Sequence, residues 1–107
     1  MTAATAEIRR LNDTFRTSMT GGQLFLTGGI AGRPDTAQII ERVKAFSEFT
    51  EENDPHEEHD FGAFRHGDEI IFWKIDYYDK SLRNGSSNPA NAAMTTRVLT
   101  IMLAQEY

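Results

Sequence analysis

Three patterns in this sequence predict an α+β fold: a three-stranded, mainly antiparallel sheet with three helices, in the order α-β-α-β-β-α. A β-branched and aromatic run, Ile70 to Tyr78, follows a tight-turn signal at Gly67-Asp68. Apolar residues recur at helical spacing in two segments ahead of that run. A third helical stripe follows Asn88-Pro89, where Asn suits a cap and Pro suits the first helical position. Helices packed on one face of the sheet are the simplest arrangement of these elements.

Taken in order, Ala4, Ile8, Leu11, Phe15 and Met19 mark an amphipathic helix over 5–18, with Arg9, Arg10, Asp13 and Arg16 off its stripe. Thr20-Gly21-Gly22 stops it. Gln23 to Thr27 reads as a short strand ended by Gly28-Gly29. Asp35 caps a second helix whose stripe is Ile39, Ile40, Val43, Phe46 and Phe49, ending near Thr50. The two Thr-Gly-Gly strings are turns around one strand. A phosphate-cradling loop needs a Lys-Ser/Thr pair entering a helix, and here an acidic cap stands instead.

The hairpin carries the most detail. Gly first in a two-residue loop suits a type II′ turn and sets the register. Phe64 then faces Ile71, Ala63 faces Phe72, Gly62 faces Trp73 and Phe61 faces Lys74, with His59 opposite Asp76 one step on. The alternative loop, His66-Gly67, would set Phe64 against Glu69, a worse pairing. Alternation gives one face Phe64, Ile71, Trp73, Ile75 and Tyr77. The other gets Phe61, Ala63, Phe72, Lys74, Asp76, Tyr78 and His59. Gly62 leaves room for the indole. The last helix is expected from Pro89 towards Gln105, with Met94, Val98, Ile101 and Met102 as its main stripe and Trp73 buried against it.

Composition narrows the function. A chain of 107 residues, 25% charged and 39% hydrophobic, is an ordinary soluble single domain, 1–107. No cysteine means no disulfide, thiol nucleophile or thiolate metal site, and it suits a reducing cytoplasm. No apolar run matches a membrane span or a secretion signal. The net charge of −5 opposes direct binding to nucleic acid or to an anionic membrane.

The segment Glu51 to Asp60 is the most charged, with two of the three histidines, and Pro55 keeps it out of a helix. It reads as a solvated acidic loop, as a recognition surface for a basic partner, or as a divalent-metal site built on His56 and His59 with Glu58, Asp60 or Asp76. Spacing alone is a weak metal signal, so no cofactor is expected.

Asn53-Asp54-Pro55, Glu58-His59-Asp60-Phe61-Gly62, Phe72 to Asp79 and Thr95 to Ala104 resemble an uncharacterised bacterial family, domain of unknown function 3768. The resemblance runs from about Leu11 to Tyr107. It implies a small cytoplasmic bacterial protein, often carried on mobile elements, and no assigned activity. His56 stands where the family pattern often has an aromatic, which weakens the two-histidine metal site. The matching polar residues are Glu58, His59, Asp60, Lys74, Asp76, Tyr78, Asp79 and Arg97.

Two classes of function follow. The first is a binding or inhibitory protein without chemistry. Its surface is Glu58, His59, Asp60, Asp76, Tyr78 and Asp79, and its partner is a protein with a basic surface, such as a nucleic-acid-binding defence complex that an anti-CRISPR or anti-restriction factor would block. It would act as a monomer or homodimer. The second is a small hydrolase or nuclease-like enzyme with His59 as base, Asp76 as its orienter and Lys74 stabilising an anion.

Overall fold

The computed structural model describes residues 1–107. It contains α1 (Ala3–Ser18), β1 (Gly22–Leu26), α2 (Thr36–Ala45), β2 (Phe61–His66), β3 (Glu69–Tyr78) and β4 (Thr96–Leu103), with single 3₁₀ turns at Ala92–Met94 and Ala104–Glu106. The class is α+β as expected, but with two α-helices and a four-stranded mixed sheet. The strand order is β1-β4-β3-β2, with β1 parallel to β4 and the other two pairs antiparallel.

The third helix is the main correction. Thr96–Leu103 is a strand, the one that joins β1 to the hairpin. Met94, Val98, Ile101 and Met102 satisfy a helical period, but Thr95, Arg97, Leu99 and Ile101 satisfy a period of two and are all buried, with Met102 the one further buried residue of the strand. Five of the nine residues from Thr95 to Leu103 are β-branched, which favours the pleated choice. Asn88 and Asn91 cap short turns ahead of it instead of a helix.

The hairpin register matches the expected one at every pair from Phe61↔Lys74 to Arg65↔Ile70. Gly67 sits at φ +61°, the left-handed conformation that the first position of a type II′ turn requires. A Cβ on Gly62 would collide with the Trp73 indole, so that glycine makes the space the ring occupies. Trp73 is fully buried. Its cover is two aromatic rings from the chain after α2, Phe46 at 5.6 Å and Phe49 at 6.1 Å, and the Arg16 guanidinium of α1 at 5.1 Å. Ile101 is its cross-strand neighbour. Met94 is exposed and Val98 lies on the other face, so neither belongs to its packing.

Helix α2 ends at Ala45, short of the expected Thr50. Arg16 explains the stop. Its Nη1 donates to the carbonyls of Val43 (2.9 Å), Lys44 (3.2 Å) and Phe46 (2.9 Å), a buried cation on the negative end of the helix. Phe46 and Phe49 then reach the core from extended chain. Both helices lie on the Trp73 face. No helix is long and apolar enough to cross a membrane.

Candidate functional site

The expected site residues fall on two sides of the sheet. On the helix side, His59 does not face Asp76. Its backbone sits at φ +54°, after Glu57 at +59°, and this turns the ring towards α1. Nδ1–H donates to Asp13 at 2.9 Å, since a carboxylate can only accept. Nε2 lies 3.6 Å from buried Asp54, and the ring stacks on Phe49 at 3.7 Å. Asp54 also accepts the His59 backbone N–H at 3.0 Å. His59 thus clamps the acidic loop to α1. A base with Asp76 as orienter and Lys74 as anion holder is not assembled.

Glu58 belongs to the same side. It accepts from the Tyr77 hydroxyl at 2.7 Å, and Asn12 Nδ2 donates to that hydroxyl (2.8 Å) and to the Glu58 carbonyl (2.9 Å). Arg97 Nε donates to Asn12 Oδ1 at 2.7 Å, its Nη2 to the Pro89 carbonyl, and its guanidinium lies 5.2 Å over the Tyr77 ring. Burial pushes the Arg97 guanidinium down and the Tyr77 hydroxyl well up from their ordinary values. Asn12, Arg16 and Arg97 are all buried, so this network pins α1 to the sheet. The apolar stripe of α1 leaves Arg16 off it and does not mark Asn12. Both lie at i+4 steps from Ile8, a spacing that could have flagged polar residues on the buried face.

Asp79 is a turn residue. It accepts from the Ser81 hydroxyl (2.7 Å) and the Ser81 N–H (3.1 Å), with Arg83 N–H at 3.3 Å, and these bonds hold its carboxyl below the ordinary range. His56 is exposed at the outer rim, apart from His59. No three His, Asp or Glu side chains come together in a way that could hold a metal ion.

The other side of the sheet carries no helix. There β3 presents Phe72, Lys74, Asp76 and Tyr78 by simple alternation, β2 adds Phe61, and β4 adds Val98, Thr100 and Met102. A shallow cavity of about 550 Å³ lies over β1, β4 and β3, floored by Thr100 and Met102 and walled by Phe25, Asp76, Tyr78 and Tyr107. A second, of about 280 Å³, continues it past Lys74 and Asp76 to Asp60 and His56. Phe61, Phe72 and Tyr107 form an edge-to-face row with centroids 5.2 and 5.8 Å apart. Lys74 is the one Lys or Arg lining either cavity, and Asp76 holds it at 2.8 Å, which raises its ammonium above the ordinary value. Burial raises the Asp60 carboxyl, with Glu58 and Asp54 adding to it. Phe25 and Tyr107 were not among the expected site residues. Their role depends on β1 and β4 being neighbours, which the sequence pattern did not show.

The model of the family described as "Protein of unknown function (DUF3768)" matches residues 5–106. The chain belongs to this family. The match takes in α1 from its third residue, the acidic loop and all four strands, so the buried network and all of the open face but Tyr107 lie within the family domain. No curated protein and no solved structure matches the chain.

Proposed function

We propose that this DUF3768 protein is a binding protein whose open sheet face receives a basic protein surface. The observation that carries the reading is that face itself: a row of aromatic rings beside Asp76 and Asp60, with its single lysine already neutralised. Aromatic faces and carboxylates together are the chemistry that takes arginine and lysine side chains. The overall charge of −5 steers a basic partner towards the molecule and repels nucleic acid. Basic surfaces of that kind are what nucleic-acid-binding proteins present, so occlusion of such a protein, as in an anti-defence factor, is the action we favour.

The expected centre of binding, Glu58 to Asp60, moves in this reading. Glu58 and His59 are tied into the helix-side network, while Asp60, Asp76 and Tyr78 remain available to a partner. The test is a paired capture from host lysate. Phe72→Ala and Asp76→Lys should lose a basic partner that both wild type and the α2 surface variant Glu41→Lys retain, and added salt should weaken the wild-type complex. Equal retention by the open-face variants would sink the reading.

A further inference from the structure

The sheet ends in two edges, and they are treated differently. At β2 the ladder geometry turns the Arg65 carbonyl outward, and Arg42 fills that position, donating to it at 2.6 Å while lying 4.4 Å over the Phe64 ring. Arg65 itself is exposed beside it. A cation and an occupied acceptor are devices that stop an edge from pairing.

At β1 no such device exists. Thr27 donates to the Ile101 carbonyl at 3.2 Å, which fixes the phase of the parallel ladder. Gln23, Phe25 and Thr27 direct their backbone groups at β4. The N–H and C=O of Gly22, Leu24 and Leu26 therefore point to the free edge. The side chains there are apolar and open: Phe25 is 58% exposed and Leu24 40%. Residues 17–32 contain no charged residue and no proline, the longest uncharged stretch in a chain that is one-quarter charged. Two copies of a protein with charge −5 repel in most orientations, and this edge is where they can meet without like charges in contact.

We infer that β1 pairs with β1 of a second copy, antiparallel about a two-fold axis at Leu24, making one continuous eight-stranded sheet. The strand is self-complementary in this register. Leu24 exchanges both hydrogen bonds with the partner's Leu24, Phe25 lies against the partner's Gln23, and Gly22 meets the partner's Leu26. The open faces of both copies remain uncovered, so the dimer presents the binding surface twice.

The absence of native cysteine makes the test direct. Full-length protein should show a concentration-dependent dimer mass by sedimentation or light scattering. In a hydrogen-bonded antiparallel pair the Cα atoms lie about 5.5 Å apart, within disulfide reach. Oxidised Leu24→Cys should therefore cross-link as a dimer, and Arg65→Cys on the opposite edge should not. Leu24→Pro deletes only an outward N–H, so it should weaken the dimer roughly tenfold or more with an unchanged circular dichroism spectrum. A monomer mass across the whole soluble range, or cross-linking at Arg65→Cys in place of Leu24→Cys, overturns the inference. So does a monomer whose β1 amides gain hydrogen-exchange protection only when a different protein is added, since that assigns the edge to that protein.

Discussion

The two faces of this sheet are built by opposite rules. The helix-covered face buries Trp73, Ile75, Leu99 and Ile101 and, among them, two arginines and an asparagine whose hydrogen bonds tie loops and helix ends together. The open face keeps Phe61, Phe72, Asp60 and Asp76 half-exposed, with Asp76 paired to Lys74. Polar groups on the first face are structural even where they look catalytic, as His59 does. On the second, Asp60, Asp76 and Tyr78 are the polar groups we propose serve a partner. The contrast predicts that stability and binding separate cleanly by face.

The largest effect should come from the centre of the covered face. Trp73→Ala should cost about 3–5 kcal/mol, read by denaturant unfolding, because it empties space shared by Phe46, Phe49 and Arg16. Native tryptophan emission should be blue-shifted and poorly quenched by iodide. A cost under about 1 kcal/mol would break the comparison at once.

Next comes the buried network. Asn12→Ala leaves Arg97 Nε and the Tyr77 hydroxyl each short of a partner at a largely buried site. The expected loss is about 1–3 kcal/mol, at the upper end because one donor is charged. Asn12→Leu should be no better, since the buried guanidinium still lacks its acceptor. If either variant is as stable as wild type, the network is ornamental and Glu58 returns as a surface for partners.

How much of this contrast was legible in the sequence differs by region. The β2–β3 register was readable to the residue, because Gly67 allows two loops and only one of them sets Phe64 against Ile71 rather than Glu69. The same alternation correctly sorted Trp73 and Tyr77 from Lys74, Asp76 and Tyr78. It failed one step past the strand. His59 and Glu57 adopt left-handed backbone without being glycine, a choice made by the Asp54 and Asp13 contacts around them and invisible to local propensity. β4 failed for another reason: its apolar residues fit both periods, and only the need for a strand between β1 and β3 decides. The open face was foreseen as a surface, but its cavity depends on Phe25 arriving from a strand far away in sequence.

Asp60 stands at the boundary between the faces and gives the contrast a pH dependence. Its folded carboxyl is raised above the ordinary value, so the unfolded chain ionises first. The contribution to stability is full below about pH 4 and is lost as pH rises through the folded value. Asp60→Asn should therefore gain on wild type at neutral pH and lose that gain in acid, by less than the Asn12 effect. A gain independent of pH would mean that shape, not ionisation, governs this position.

The smallest stability effect belongs to the open face. Lys74 and Asp76 touch at 2.8 Å, but each is more than one-third exposed, so water and salt screen the pair. A double-mutant cycle with Lys74→Met and Asp76→Asn should give a coupling of about 0.2–1 kcal/mol that shrinks in high salt. The same Asp76→Asn protein should lose much of its affinity for a basic partner, because the freed Lys74 then adds a repelling charge to a surface that had none. A coupling of several kcal/mol would show that the pair is desolvated, as a structural pair on the covered face is. Asp76 would then have to be counted with Asn12 and Arg97 as part of the frame, and the aromatic row Phe61–Phe72–Tyr107 would be left to carry recognition alone.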